Sequence, residues 1–286
     1  MVKLTTLMQR TSGRAEIVIG LIDGPIAINH PYLMSDNIHE IPGSLPGMCL
    51  QASSTACQHG TFVAAILSAR RSSPAPAICP DCTLLVRPIF TEATPGNGQM
   101  PSATPEDLAA AIVETVNAGA HVLNLSVALV QSLSKGEREL EEALNYAARR
   151  NVLLVAAAGN QGTIASTIIT RHPCVIPVAA CDLQGRPISY SNLGSSIGRR
   201  GLSAPGDAIT SLGSWGRPRT WGGTSVAAPF VTGAIALLWS EFPRATAAEI
   251  RNAVAQTSTS RRTSVVPPLL DAWSAYQVLL RAHVRN

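Results

Sequence analysis

Residues 222–234 read Gly-Gly-Thr-Ser-Val-Ala-Ala-Pro-Phe-Val-Thr-Gly-Ala, and this stretch decides the fold and the chemistry that we expect. A glycine pair permits a tight backbone turn, and an apolar helix follows at once. Ser225 therefore stands at the mouth of a helix, where backbone N–H groups and the positive end of the dipole favour negative charge. That position suits an oxygen nucleophile that faces a developing oxyanion. The alternative is that Thr224 or Ser225 serves only as an N-cap.

The composition is that of a compact globular protein. The chain has 286 residues, of which 46% are hydrophobic and 14% are charged, with a formal net charge of +4. It carries no dense run of Lys and Arg interleaved with aromatics, so we expect no nucleic-acid partner. The longest apolar run, residues 226–239, is interrupted by polar residues and is shorter than the roughly 18 residues of a membrane span, so we expect no membrane segment. Residues 1–14 lack the apolar core of a signal peptide, which leads us to expect a cytoplasmic location.

Short β-like runs alternate with helical patterns along the chain. Residues 16–22 are apolar after the first position, as expected of a strand buried on both faces. Thr104, followed by Pro105, predicts the start of a helix. Further strands are predicted at residues 83–90, 121–127, 152–158, 174–181 and 188–191, and helices at 60–70, 105–118, 135–150, after Ser225, and at 247–255 and 271–282. This order predicts an α/β fold with a mostly parallel sheet, and no linker divides it, so we expect one domain across residues 1–286.

Three further polar residues are candidates for a site with Ser225. Asp23 ends the first predicted strand, where the catalytic groups of α/β sheets gather, although Asp before Gly-Pro is also typical of a turn. His59 precedes Gly60-Thr61 and would open the next helix, and a capping or packing histidine fits the same position. Asn160 ends a strand, where its amide could donate to an oxyanion or Gly-Asn could form a turn.

Several blocks of sequence together resemble the subtilisin-type serine proteases. They are Leu21-Ile22-Asp23-Gly24, His59-Gly60-Thr61-Phe62-Val63-Ala64, Val122-Leu123-Asn124-Leu125-Ser126, Ala158-Gly159-Asn160 and Gly223-Thr224-Ser225-Val226-Ala227-Ala228-Pro229. The order Asp, His, Ser is the order found in that family. The resemblance extends over nearly the whole chain and implies a three-layer sandwich, with helices on both faces of a mostly parallel central sheet.

The resemblance also implies a role for each candidate. Ser225 would be the nucleophile, His59 its general base, and Asp23 the group that orients the imidazole. Asn160 would bind the oxyanion together with the backbone N–H of Ser225. The substrate would pair as an added strand, and its binding residues would be Leu125, Ser126, Val127, Ala157, Ala158 and Gly159. The resemblance implies no cofactor and no catalytic metal.

Shorter matches narrow the resemblance. Leu4-Thr5-Thr6-Leu7, Asp23-Gly24-Pro25 and Arg87-Pro88-Ile89-Phe90 resemble the proteases that mature cyanobactins and related ribosomal peptides. This resemblance implies a precursor peptide as the partner and removal of its leader as the reaction. A general intracellular subtilisin-like protease is the alternative, and a macrocyclase or a catalytically silent scaffold are further alternatives. The oligomeric state stays open.

The segment between Asp23 and His59 bears on whether the enzyme hydrolyses or cyclises its substrate. The cyclising relatives carry a helical insertion in this segment. Residues 24–58 are instead rich in Pro and Gly, which predicts a loop with at most a short helical turn. An open site leaves an acyl-enzyme exposed to water, so we expect hydrolysis.

Six cysteines and a pair of arginines bear on redox state and metals. Cys79-Pro80-Asp81-Cys82 lies outside the strand-to-helix context of a redox motif, and the other cysteines do not supply the second ligand pair of a zinc site. We expect reduced thiols, with a disulfide between the 49–57 loop and the 79–82 loop as the open alternative. Arg70, Arg71 and two prolines follow the predicted His59 helix, so we expect no tight calcium site there.

Overall fold

The computed structural model describes residues 1–92, 103–127, 136–255 and 263–283, and a seven-stranded parallel sheet forms the centre of this part of the chain. In chain order its strands are β1 (Val18–Asp23), β2 (Ile38–Glu40), β3 (Thr83–Pro88), β4 (Val122–Leu125), β5 (Leu153–Ala157), β6 (Val175–Cys181) and β7 (Leu202–Pro205). They lie in the spatial order β2-β3-β1-β4-β5-β6-β7. A separate antiparallel hairpin consists of β8 (Ile209–Leu212) and β9 (Pro218–Trp221).

Helices cover both faces of the sheet. They are α1 (Leu4–Arg10), α2 (Thr55–Ser68), α3 (Pro105–Asn117), α4 (Glu137–Arg149), α5 (Ile168–Arg171), α6 (Ser195–Arg200), α7 (Thr224–Glu241), α8 (Ala247–Ala255) and α9 (Ala272–His283). Helix α7 packs against β4 to β7 and against α2, whereas α3 and α4 pack against each other and against strands β1 and β5 respectively. The predicted three-layer α/β fold is confirmed.

The side chains of the sheet alternate between two hydrophobic cores. Ile19 and Leu21 of β1 belong to the core that holds Phe62 of α2, whereas Ile22 belongs to the core that holds Leu140 of α4. All of these side chains are fully buried. Because successive strand residues point to opposite faces, a strand must be apolar at every position where helices cover both faces. The continuous apolar run of β1 has this cause.

The start of α3 follows the prediction, whereas the predicted strand at residues 188–191 is wrong. The Thr104 side chain accepts a hydrogen bond from the Asp107 N–H, and Pro105 occupies the first turn of α3. Pro187 forms a single antiparallel bridge with Cys181, and the chain then bends, with the Ser191 N–H donating to the Ile188 carbonyl at 3.0 Å. Proline has no N–H with which to extend a ladder, so the run ends in a turn.

No helix in the described ranges combines the length and the hydropathy that a transmembrane span needs.

Candidate active site

Asp23, His59 and Ser225 meet at the carboxyl edge of the sheet. Asp23 is the last residue of β1 and is fully buried. Its Oδ1 lies 2.7 Å from Nδ1 of His59, and Nε2 of the same ring lies 2.9 Å from Oγ of Ser225. One imidazole therefore bridges a carboxylate and a hydroxyl, the arrangement that activates a serine as a nucleophile.

The carboxylate of Asp23 is held through one oxygen. The Gly24 N–H donates to Oδ1 at 2.6 Å, the same oxygen that contacts His59. The other oxygen, Oδ2, is buried and has no hydrogen-bond partner among the described residues. A side chain at Gly24 would collide with the carbonyl oxygen of Ala56 at the start of α2. The glycine thus lets the strand end approach the helix that carries His59.

His59 lies in the second turn of α2, so the prediction that it opens a helix is wrong. The helix begins at Thr55, and the Oγ of Ser54 caps it by accepting the Cys57 N–H at 3.1 Å. Serine is among the strongest N-cap residues, and the cap moves the helix start five residues ahead of the predicted one. His59 is consequently fixed by turns of helix on both sides.

A disulfide joins Cys49 to Cys57, which corrects the expectation of reduced thiols. It also corrects the alternative pairing between two loops, because Cys79 and Cys82 are free and buried. The Cys49 N–H donates to the Ile26 carbonyl at 3.0 Å, and the backbone of Ala56 lies against Gly24, so both cysteines are held beside the residues that follow β1. Cys57 stands two residues before His59, so the bond clamps the loop onto the helix that carries the base.

Glu92 supports the same loop. Its carboxylate accepts the N–H groups of Leu50 and Gln51 at 2.7 and 3.0 Å and the Ser54 hydroxyl at 3.1 Å. The sequence reasoning missed both Glu92 and Ser54. A Ser-Ser-Thr run before an apolar segment could have indicated the cap, whereas nothing in the sequence connects Glu92 to a loop some 40 positions earlier.

Atoms that can bind metals come close together near this loop. Cys49, Cys57 and Glu92 form one such group among the described residues, with their potential ligand atoms within 4.8 Å of one another. The two sulfurs are bonded to each other, however, and a metal requires thiolates. In this oxidation state the group serves as a structural clamp.

Ser225 is the second residue of α7, immediately after the predicted glycine pair. Gly223 precedes the helix with φ of 133°, in the region that glycine adopts readily. A Cβ at this position would lie 3.2 Å from Nδ2 of Asn160. The glycine therefore allows both the turn into the helix and the close approach of the amide.

Asn160 is oriented by the residue before the serine. Its Oδ1 accepts the backbone N–H of Thr224 at 2.9 Å and the Thr224 hydroxyl at 3.1 Å. The Thr224 hydroxyl oxygen also accepts the Gly159 N–H at 3.1 Å. These contacts occupy the carbonyl end of the Asn160 amide and leave the Nδ2 end as the donor that is available to a ligand.

The predicted substrate-binding residues lie at and just beyond the ends of two adjacent strands. Strands β4 and β5 pair with Leu125 opposite Ala156, so the segments 125–127 and 157–159 leave the sheet side by side. The Leu125 side chain is fully buried in the core beneath α3 and α4, so a ligand would meet its backbone only. Ser126 is engaged already, because its hydroxyl donates to the Ser225 carbonyl at 3.1 Å.

Two buried asparagines support these segments, and the sequence reasoning assigned neither a role. Asn124 donates to the Ser126 Oγ at 2.7 Å and accepts the Thr232 hydroxyl at 2.8 Å, so it joins β4 to α7. Asn192 donates to the Ala158 carbonyl at 3.2 Å. Buried amides need such partners, and here they hold the segments that follow β4 and β5.

A family model described as the subtilase family matches residues 14–271 of the chain. A thermostable alkaline protease of Halalkalibacterium halodurans is 33% identical over 202 residues, which are 70% of this chain and 52% of that protein. Subtilisin DY of Bacillus licheniformis is 27% identical over 252 residues, covering 86% of this chain and 85% of that protein. The chain thus spans about half the length of some of the curated relatives that it matches.

Solved structures of similar shape include two maturation proteases. The protease domain of PatA, in a mutant form, has a TM-score of 0.85 and 32% identity, with 94% of this chain and 97% of that chain covered. The prenylagaramide maturation protease PagA has a TM-score of 0.83 and 28% identity, with 98% and 99% covered. The PatG macrocyclase also has a TM-score of 0.83 but is 21% identical, a likeness of fold alone.

Proposed function

We propose that this chain, which belongs to the subtilase family, is a serine endopeptidase that removes the leader from a ribosomally made precursor peptide. The observation that carries this proposal is the His59 ring, whose nitrogens lie 2.7 Å from Asp23 and 2.9 Å from Ser225. The choice of substrate is supported by the similarity to PatA and PagA, which extends over 94% and 98% of the chain.

The reaction that we propose proceeds in two steps through an acyl-enzyme. His59 Nε2 accepts the proton of the Ser225 hydroxyl as its oxygen attacks the scissile carbonyl carbon, and the carbonyl oxygen takes the negative charge. The C–N bond then breaks, Nε2 returns the proton to the leaving amine, and the N-terminal fragment stays on Ser225 as an ester. Water attacks this ester in the same way and releases a linear peptide with a free carboxylate.

Two groups would stabilise the charges that develop. Asp23 accepts a hydrogen bond from Nδ1 of His59, which holds the neutral ring in the tautomer with a free Nε2 and stabilises the imidazolium that follows. Asn160 Nδ2 and the Ser225 N–H would donate to the oxyanion. This assignment is supported by the two hydrogen bonds from Thr224 that keep the Asn160 carbonyl oxygen turned toward the start of α7.

The precursor peptide would lie extended between two segments. In this proposal, the backbone of residues 125–127 pairs with the peptide as an added strand. Ala157, Ala158 and Gly159 would border the residue before the scissile bond. Gly159 has φ of 108°, and a side chain there would meet the Asn192 amide. The wall formed by Ala157, Ala158 and Gly159 therefore consists of small residues. Such small side chains leave room for a peptide backbone beside the end of β5.

We propose hydrolysis rather than cyclisation because of the segment that follows Asp23. Residues 24–59 contain a single 3-10 turn at Ser35–Asn37, the short strand β2 and the first turn of α2. No helical hairpin occurs in this segment, all of which the structure describes. Without such a cover, water reaches the ester more easily than the amine of a tethered peptide does.

A general subtilisin-like protease is the second candidate, and the alkaline protease and Subtilisin DY favour it. To separate the two, purified protein would be incubated with a synthetic precursor peptide and, separately, with reduced and unfolded casein. We expect cleavage of the precursor at one site and little cleavage of casein. Equal cleavage of both would overturn the leader-removal proposal in favour of the general protease.

Mass spectrometry of the same digest separates hydrolysis from cyclisation. We expect a linear fragment, and the Ser225→Ala variant serves as the control for contaminating proteases. A dominant product that is lighter by one water than the linear fragment would show a macrocycle and overturn the hydrolysis proposal.

The cytoplasmic location remains a prediction. The Cys49–Cys57 disulfide bears on it, because structural disulfides persist mainly in oxidising compartments. Trapping free thiols in freshly lysed cells would show whether these two cysteines are oxidised where the protein works.

A further inference from the structure

A tryptophan and an arginine of the β8–β9 hairpin stand beside His59, and the mechanism above does not use them. The ring centroid of Trp221 lies 5.7 Å from that of His59 and 5.2 Å from that of Phe62. The guanidinium carbon of Arg219 lies 4.8 Å from the centre of the Trp221 ring. Arg219 and Trp221 are two positions apart on β9, so both project from the same face of the strand. The pair forms a stacked unit next to the catalytic base.

The hairpin that carries this pair is fastened to α2, the helix that carries His59, and to the loop before it. The Ser211 hydroxyl donates to the Phe62 carbonyl at 2.9 Å, and the Ser214 hydroxyl donates to the Ala52 carbonyl at 2.5 Å. Arg219 itself donates to the side-chain oxygen of Gln58, the residue before His59. Three connections of this kind hold the guanidinium in place relative to the imidazole.

The charge of Arg219 has no counter-ion in the described part of the chain. Its polar contact is the neutral amide of Gln58, and none of the ion pairs among the described residues includes Arg219. The first three residues of β9 are exposed. A guanidinium that is fixed in position, open to solvent and not paired with a carboxylate is well suited to bind a carboxylate from outside, because its planar fork matches that group.

The reaction geometry indicates which part of a substrate meets this arginine. His59 Nε2 gives its proton to the leaving amine, so the peptide on the C-terminal side of the scissile bond departs past the imidazole. In the proposed function, the other side of the peptide is bordered by residues 125–127 and 157–159, which continue from the ends of β4 and β5 and are not part of the hairpin. Trp221, in contact with the imidazole, therefore borders the leaving side.

We propose that Trp221 and Arg219 form the subsite for the residues that follow the scissile bond, and that this subsite selects Asp or Glu at the first or second of those positions. The indole supplies a flat apolar wall, and the guanidinium at its edge pairs with the substrate carboxylate. The inference rests on the proposed peptidase function and names the substrate class of the same site.

A set of internally quenched peptides tests this inference. The peptides share mixed residues before the scissile bond and carry Glu, Ala or Lys at the first or second position after it. We expect kcat/KM for the best Glu peptide to exceed that of the matching Lys peptide by about fivefold, the size that one exposed ion pair produces in a binding equilibrium. The ratio should fall as salt is added, since exposed charges are screened.

Variants separate a charge-selecting role from a structural one. Arg219→Lys should keep the preference for Glu, Arg219→Gln should abolish it, and Arg219→Glu should invert it. Arg217→Glu, an exposed arginine of the same hairpin, changes the net charge equally and should leave the ratio unchanged. A ratio that is the same in wild type and Arg219→Glu would overturn the inference, and so would an equal change in Arg217→Glu.

A binding measurement keeps the inference distinct from the proposed activity. Dye-labelled versions of the peptides would be titrated against the Ser225→Ala variant by fluorescence polarisation. A Glu preference in binding without cleavage by the wild type would support the subsite and overturn the peptidase proposal. Cleavage or binding with no charge preference would overturn the subsite alone, and the absence of both would overturn both.

Discussion

The two halves of the candidate active site are held in place by different means. Ser225 is positioned by its immediate neighbours, because Gly223 turns the chain into α7. Asn160 is held by Thr224, which lies 64 positions later in the chain. His59 is supported by the Cys49–Cys57 clamp, whose cysteines are 8 positions apart, and by Glu92, which contacts the same loop from 41 positions after Gln51. In the serine half, the turn that presents Ser225 is therefore local and the support of Asn160 is tertiary. In the histidine half, the disulfide is local and the support by Glu92 is tertiary.

The two halves should also respond differently to substitution. Changes in the serine half should remove chemical steps while leaving the fold intact, since Ser225 fills little of the core. Changes around the histidine half should act mainly through stability, since they release α2 from its neighbours. The predictions below test this division, from the largest expected effect to the smallest.

Replacing the nucleophile should have the largest effect. We expect Ser225→Ala to lower kcat/KM on the order of 10⁴-fold or more, because it removes the covalent step, and to leave the melting temperature unchanged. Peptide hydrolysis and labelling by a fluorophosphonate probe would measure the loss. Ser195→Ala, an exposed serine at the start of α6, is the matched control. Wild-type cleavage by Ser225→Ala would show that the nucleophile is a different residue.

Replacing the oxyanion donor should have the next largest effect. We expect Asn160→Ala to lower kcat by about 100- to 1000-fold, the usual cost of losing one such donor. Asn160→Asp keeps the oxygen that Thr224 contacts but replaces the nitrogen donor, so its loss should be at least as large. Steady-state kinetics at saturating peptide would measure both variants. If Asn160→Asp retained activity, Asn160 would act only as a support for Thr224.

Removing the clamp should destabilise the histidine half. The double variant Cys49→Ser and Cys57→Ser loses a cross-link of sequence separation 8, and loop entropy predicts a loss of about 2.5 kcal/mol. Urea unfolding followed by circular dichroism would measure the loss, with Cys174→Ser as the control that leaves the clamp intact. Unchanged stability of the double variant would show that Ser54 and Glu92 suffice to hold the start of α2.

Arg71 gives a smaller test beyond the other end of α2. Its guanidinium donates to the carbonyl oxygens of Met8, Thr11 and Ile78. This side chain therefore joins α1 to the loop between α2 and β3. We expect Arg71→Ala to cost about 2 kcal/mol, because it removes hydrogen bonds from a charged donor. Arg70→Ala, an exposed neighbour, should cost little.

Chelation by EDTA tests the prediction that the loop after α2 holds no tight calcium site. We expect EDTA to leave the melting temperature of the wild type unchanged, since Arg71 already occupies carbonyl oxygens that a cation would bind. A fall in melting temperature that calcium restores would contradict this prediction and show a cation site elsewhere in the protein.

The sequence by itself predicted five of the seven strands of the central sheet, β1, β3, β4, β5 and β6, and the turn that presents Ser225. The three layers were implied by the resemblance. Apolar runs such as the one in β1 report burial on both faces, and Gly223 reports a backbone turn that other residues adopt with difficulty. These signals lie within a few residues of the structures that they predict. The order of Asp23, His59 and Ser225 came from the resemblance, and the roles assigned to them remain proposals.

Only the tertiary structure decided the support of His59 and the surroundings of the leaving group. The start of α2, the pairing of Cys49 with Cys57 and the approach of Trp221 to the imidazole depend on loops whose path is set by distant hydrogen bonds. A pattern in sequence reports periodicity and local turns, whereas the contact of Glu92 with Gln51 and that of Ser214 with Ala52 join residues 41 and 162 positions apart. Their partners become neighbours only after the sheet and both helical layers have formed.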